Sequence, residues 1–540
     1  MATAQITTDA VRSKIENFGS LDSDTQTQLI EALSYDVPGA FYTHAASEGR
    51  WDGRARLLTE RGTYPTGLTA RVRHILEERG YIVELISKLP TLIVAATPPQ
   101  SYFPHPLIPE QVEAVQHILA LREQRPQLPR GMISAPPRSG KTIIAAEAIR
   151  QINVWPVVFL NDRLDIAQPP RGTVTKFEQY FGTDFPIGHA YDGEFEPGNI
   201  VVMTIQTACA ALGQDYKPPA DDIVEGELPT EQRERVAELL RTTKVVVVDE
   251  AHHAAAPSYL EVLKQCKSRV WTIALSGTPW RDDERDLVME GAVGPVIYEI
   301  SYHAMITQHR LVPAHIYWVH MPTKSYRRTT SYKEREVDYI LRNPVRNAAI
   351  TRFCSYCVNR NLSVMVMTDQ ISQLRILDNW LKTAEVPHRC MTASGNYSVE
   401  PRLRQTVWDD LQEKRILCLV TTLGQEGLDI PSLDAVVIAA GGKSSVKCMQ
   451  RFRAMTAWPG KAHCLILDFA DRGRYFTEHA AARLAMYTSH PAGVFHIHHV
   501  TSEVTTTDPE LVKWLRSKER LREELQQPGL HIAALSTRSG

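Results

Sequence analysis

Nowhere in the 540 residues does an apolar run approach the ~18 that a membrane-spanning helix needs. The start, MATAQITTDAVRSK, is polar and lacks the apolar stretch of a secretion signal. These two absences set aside a membrane partner and favour the cytoplasm. Cysteine is thin: eight residues, at 209, 266, 354, 357, 390, 418, 448 and 464, are scattered over a long chain, so reduced thiols are expected. Cys354-Ser-Tyr-Cys357 has metal-ligand spacing, but no second pair follows and residues 346–358 read as a helix, which favours helix-face thiols over a zinc or redox site. An excess of one charge is missing too. A formal net charge of -2 and a pI near 6.8 exclude a global basic field, so any nucleic-acid contact must come from local patches. With 43% hydrophobic and 23% charged residues, nothing argues for large-scale disorder, and the length allows about three or four domains.

What is present is a phosphate loop. Ala135-Pro-Pro-Arg-Ser-Gly-Lys-Thr142 nearly matches G-x-x-x-x-G-K-[ST], between the apolar segment 131–134 and the helix-forming segment 143–150. Backbone amides at Ser139 and Gly140 are expected to surround the phosphates of a nucleoside triphosphate, with Lys141 on the β and γ phosphates and the Thr142 hydroxyl on Mg²⁺. Ala135 replaces the usual glycine but is small enough for close backbone approach. The second half of such a site is Val245-Val-Val-Val-Asp-Glu-Ala-His-His253, a buried parallel strand that delivers two acids to its carboxyl end. Asp249 would hold the Mg²⁺ and Glu250 would orient or deprotonate the attacking water. Together the two segments read as an NTPase.

Residues 1–95 read as a small α+β domain, with helices expected at 8–18, 25–33 and 69–79 and a turn at Asp52-Gly53. Arg50, Arg54, Arg56, Arg71 and Arg73, with Trp51, could hold a phosphate backbone and stack on a base, or form a solvated surface around a structural tryptophan. A Pro-rich connector, 97–109, leads to a helix carrying Gln111. Strands at 154–161, 198–206 and 270–275 alternate with helices, which implies a doubly wound parallel sheet in 96–310. Residues 213–232 are acidic, Pro-bearing and aperiodic, and read as an inserted surface loop instead of a binding site. A second α/β set, 311–500, has strands expected at 363–368, 416–420, 435–439 and 464–468 and helices at 371–383 and 401–413, but no second phosphate loop. It would serve as the other half of one NTP site. The tail, 501–540, is expected to hold a docking helix from Asp508.

Residues 107–475 resemble the superfamily 2 helicases and translocases through several motifs in the right order. Leu107-Ile-Pro-Glu-Gln111 is similar to the adenine-contacting segment, 135–142 to motif I, Thr204-Ile-Gln-Thr207 to the DNA-facing motif Ib, Asp249-Glu-Ala-His252 to motif II and Ser276-Gly-Thr278 to motif III. Thr421-Thr-Leu-Gly-Gln-Glu-Gly-Leu-Asp-Ile-Pro431 matches motif V. The resemblance implies two tandem RecA-like domains, ATP and Mg²⁺ at the site, Gln111, Gly427, Asp429 and Gln450 on the nucleotide, and Thr204, Gln206 and Thr421 on nucleic acid. His252 and 276–278 would couple the ATP site to that track. Motif VI departs from its pattern: Gln450-Arg-Phe-Arg-Ala-Met-Thr-Ala457 keeps Arg451 and Arg453 but lacks the two later arginines. A one-residue deletion would leave Arg453 as the arginine finger. The segment 51–83 is similar to the first domain of UvsW-type phage helicases, which implies ATP-dependent work on branched or duplex DNA: fork regression, branch migration and unwinding. A monomer is expected. A nucleotide-gated DNA clamp with little turnover, and a helicase for RNA or RNA–DNA hybrids, remain the alternatives.

Overall fold

The computed structural model describes residues 2–500 except 38–39, 41–43, 45–47, 92, 125–128, 170–171, 217–223, 278–284, 323–330, 424–429, 443–453 and 474. The chain divides into two compact units, 1–301 and 302–540. The helix expected from Asp508 lies outside the described residues.

The first unit opens with a four-stranded sheet. Thr3–Thr8 pairs antiparallel with Arg12–Ile15 and parallel with Ile82–Ser87, and Thr63–Pro65 adds to Arg12–Ile15. This corrects the helix expected at 8–18. Ala4, Ile6 and Thr8 are buried and alternate with more exposed neighbours, as do Ser13 and Ile15. That period of two is a strand's. Between the strands the Asp9 carboxylate accepts from the amides of Val11 and Arg12, at 2.7 and 2.8 Å, and so fixes a turn where a helix would have continued. The helices Ser23–Ala32 and Thr69–Glu78 form as expected and pack Leu29, Val72, Ile75 and Leu76 against Ile6 and Ile15. Asp22 caps the first through the Thr25 amide. Arg54–Arg56 pairs with Ser34–Asp36, so the Asp52-Gly53 turn does lead into a strand.

The rest of this unit is an eight-stranded sheet, in the spatial order Glu194–Glu196, Ile187–Tyr191, Ile200–Thr204, Val157–Asn161, Val245–Val248, Trp271–Ser276, Arg130–Ser134 and Val296–Glu299. Every pairing is parallel except that of the first two strands. The central strands are buried along their whole length, as strands covered on both faces are, which hides the alternation a one-sided sheet would show. Arg130–Ser134, Val245–Val248 and Trp271–Ser276 are parallel neighbours, so their following loops emerge at one edge, the carboxyl edge where ligands bind in such sheets.

The second unit is a seven-stranded parallel sheet, ordered Arg389–Met391, Cys418–Thr421, Val364–Met367, Ala435–Ile438, Cys464–Ala470, Ala314–His320 and Phe495–Val500. Its expected helices appear as Ile371–Thr383 and Pro401–Gln412. Cys354 and Cys357 lie on the helix Pro344–Asn359, fully buried in this unit's core, as helix-face thiols. Among the described residues no helix is long and apolar enough to cross a membrane.

Candidate nucleotide and nucleic-acid site

The strand Arg130–Ser134 runs into the loop 135–140, and the helix Lys141–Ile152 begins directly after it. Ala135 prolongs the strand: its amide donates to Ser276 O at 2.8 Å and the residue is fully buried, which is why a methyl group is tolerated where glycine is usual. Gly140 has φ 81°, a left-handed conformation that turns the chain into the helix. A Cβ there would sit 2.4 Å from Gln111 Nε2. Gln111 itself is clamped to the loop, its Nε2 donating to Ser139 O at 2.8 Å while its Oε1 accepts from the Ile108 amide. The structure thus brings the predicted Gln111 to the phosphate loop.

The strand Val245–Val248 delivers the acids. Lys141 Nζ lies 3.0 Å from Glu250 Oε1, and the Glu250 amide donates to Asp249 Oδ1 at 3.0 Å. Glu250 holds φ 45°, a backbone conformation sparsely used by residues other than glycine and one that gathers at functional sites. Burial, then the adjacent Glu250 charge, raises the pKa of Asp249. Burial acts on Glu250 in the same sense, but the Lys141 ammonium and the His252 ring outweigh it and hold Glu250 below the ordinary carboxylate range. The two adjacent acids therefore shift in opposite directions. His252 Nδ1 lies 3.4 Å from Ser276 Oγ and 3.5 Å from Glu250 Oε2, so motif II touches motif III. A Cβ on Gly277 would come within 3.6 Å of Lys141 Nζ. Thr278 lies outside the described residues.

The residues fit a triphosphate with its metal. The Ser139 hydroxyl is buried with no hydrogen-bond partner among the described residues. The first turn of the helix offers amides without helical partners, and Lys141 supplies a cation. Thr142, second in the helix, and the buried Asp249 provide the hard oxygen ligands that Mg²⁺ takes.

Thr204 caps the short helix Ile205–Ala211, which carries Gln206 and the buried Thr207. Their neighbour is one the sequence did not reveal. Glu225, from the segment read as a surface insertion, accepts from the hydroxyls of Thr204 and Thr207 at 2.8 and 2.7 Å. An isolated acid in an aperiodic stretch carries no motif, so only the fold could expose it. The N-terminal arginines each have a carboxylate: Arg50 with Glu48, Arg54 with Asp36 at 3.4 Å, Arg56 with Asp52, Arg71 with Glu290 at 2.5 Å and Arg73 with Glu77 at 2.6 Å. Trp51 Nε1 donates to Arg54 O. In the second unit Thr421 is buried, and its hydroxyl accepts from the Leu423 amide at 2.9 Å. Gly427, Asp429, Gln450, Arg451 and Arg453 lie outside the described residues.

Asp378, His388 and Cys390 bring one ligand atom each close enough for a metal, but the network is closed by hydrogen bonds. His388 has Val386 O 2.7 Å from one ring nitrogen and Asp378 2.9 Å from the other. Lys382 and Tyr397 donate to the second oxygen of Asp378. Neither His388 nitrogen is left for an ion.

Residues 105–281, which contain the loop, the acid pair and the Ser276 strand, match the family described as Type III restriction enzyme, res subunit. The match covers 177 of the 540 residues. The chain is 25% identical over 281 residues to Putative helicase 22 of a Sulfolobus islandicus filamentous virus, covering 50% of each chain. It spans about half the length of the curated relatives it matches. A DNA-bound structure of the ATP-dependent Type ISP restriction-modification enzyme LlaBIII covers 76% of this chain and 32% of its own, at 13% identity and a TM-score of 0.50, and has a similar fold. Bacteriophage T4 UvsW covers 92% of this chain and 99% of its own, at 17% identity and a TM-score of 0.38.

Proposed function

We propose that the chain is a nucleic-acid-dependent ATPase that moves along or remodels DNA. The observation that carries this reading is the Lys141–Glu250 contact at 3.0 Å, which joins a phosphate loop to an acid strand with Asp249, Ser276 and Gln111 gathered around it. Lys141 exchanges its carboxylate partner for the phosphates of ATP, and this exchange releases Glu250 as an ionised base beside the attacking water. Thr142 and Asp249 would hold Mg²⁺, which would supply positive charge against the phosphates. His252 contacts Glu250 directly and Ser276 through its own ring nitrogen, and so couples the state of Glu250 to the nucleic-acid track.

DNA is favoured over RNA by the similarity of residues 51–83 to UvsW-type first domains, and branched or duplex DNA is the substrate that similarity suggests. In the first unit the track starts at Thr204 and Thr207. Glu250→Gln keeps the shape of the site but removes the base. It should bind ATP with near-native affinity, read by a fluorescent ATP analogue, and lose turnover by about 10²-fold or more. Turnover like that of the unaltered chain would remove Glu250 from its role.

A further inference from the structure

The Glu225 carboxylate is held by three donors at once. Its Oε2 accepts from the Thr204 hydroxyl at 2.8 Å, the Thr207 hydroxyl at 2.7 Å and the Asp192 amide at 3.0 Å. Asp192, at φ 50°, and Gly193, at φ 80°, form the two-residue turn between Ile187–Tyr191 and Glu194–Glu196, so the amide comes from a fixed hairpin tip. Thr204 and Thr207 are buried beneath the glutamate, at 0% and 3% exposure. The backbone next to it is tied down separately, since the Gly226 amide donates to Asp192 Oδ1 at 2.9 Å and Leu228 is buried in the core. The carboxylate is thus held by its own three hydrogen bonds, separate from the backbone ties that follow it.

We infer that these three donors form a phosphodiester subsite and that Glu225 is its resident competitor, a carboxylate which nucleic acid must displace before the backbone seats on Thr204 and Thr207. Two hydroxyls and an amide converging on one oxygen are the neutral donor set that holds backbone phosphates. Burial, reinforced by the Asp192 charge, raises the Glu225 pKa in spite of three donors, so the anion is less stable there than in water. A phosphodiester oxygen accepts from the same kinds of donor, two hydroxyls and a backbone amide. The inference rests on the nucleic-acid reading above and adds its regulation: weak binding at rest, and engagement only by a strand that can push Glu225 aside.

The test is anisotropy of a fluorescein-labelled single-stranded and duplex oligonucleotide with the full chain, across a salt series, for the unaltered protein, Glu225→Ala and Glu225→Gln. ATP-analogue binding and thermal melting verify that each variant is folded. Both variants should bind about tenfold more tightly, the worth of one charge-assisted hydrogen bond regained. The slope of log affinity against log salt should steepen by about one, as one more phosphate is engaged. Adding Thr204→Val and Thr207→Val to Glu225→Ala should abolish the gain. If the unaltered chain binds and folded Glu225 variants bind no tighter, Glu225 is a structural clip and the inference falls while the nucleic-acid reading stands. If no variant binds either probe, the nucleic-acid reading itself falls.

Discussion

Lys141 and Glu250 are each other's partner in a part-buried pair, and that pairing explains why neither is an idle charge: removing one leaves the other in a site that disfavours ions. Ala135 shows why a one-residue departure from a motif need not matter, since the residue is buried and its amide still makes the strand-end hydrogen bond to Ser276 O. Asp378 plays the same kind of structural part in the second unit. Burial would raise its pKa, but hydrogen bonds from Lys382, Tyr397 and His388 prevail and hold it at about 2. A folded-state pKa below the unfolded one stabilises the protein above the ordinary carboxylate range, and the gain is lost as pH falls through the folded value. Asp378→Asn should therefore be less stable than the unaltered chain in urea melts at pH 7, with the difference constant down to about pH 5 and shrinking steadily below it toward pH 2. A difference that does not change between pH 7 and pH 3 would show that the carboxylate's charge contributes nothing.

At the level of elements, the sequence made the central strands and the helices behind the motifs readable because long apolar β-branched runs and helix-forming windows are unambiguous over their full length. Short elements were not. Arg12–Ile15 offers only four residues of alternation, too few to distinguish from a helix face, and a local side-chain turn at Asp9 decided the matter. Ala314–His320 and Phe495–Val500 escaped notice for another reason. Histidines at 315, 320, 496, 498 and 499 break the apolar signature, although the two strands pair in parallel with His315 Nδ1 and His498 Nε2 3.0 Å apart. In the candidate site, the sequence named Gln111, Lys141, Asp249 and Glu250 but not their mutual contacts: nothing in the spacing of Gln111 and Ser139 shows that one side chain grips the other's carbonyl. Docking of the N-terminal sheet also depends on a detail of close approach. A Cβ on Gly67 would lie 2.0 Å from Glu290 O and 2.6 Å from Gly291 O, on the helix Asp286–Val293. Gly67→Ala should cost ~1–3 kcal/mol through overpacking. Limited proteolysis should then release residues 1–95 earlier than in the unaltered chain; an identical digestion pattern would show that the junction yields without cost.

For the whole molecule, the sequence holds one phosphate loop, which in the proposed reading means one ATP site, and Arg451 and Arg453 of motif VI are the further cations proposed for it. The irregular motif VI makes that contribution the least conventional part of the account. Arg453→Ala should lower kcat by about 10³-fold while ATP affinity stays within a factor of about two, and Arg451→Ala should do less. If Arg451→Ala abolishes turnover and Arg453→Ala leaves it intact, the finger is Arg451. The claim on which the rest depends is that ATP turnover is driven by nucleic acid, and it separates a motor from a nucleotide-gated clamp. The most direct measurement is steady-state ATP hydrolysis by the full chain with Mg²⁺, alone and with branched DNA, duplex DNA or RNA of equal length. The account predicts slow turnover alone and a rise of about tenfold or more with DNA, largest with the branched substrate, abolished by Glu250→Gln. Turnover that no nucleic acid alters, or its absence under every condition despite tight ATP and DNA binding, would contradict it.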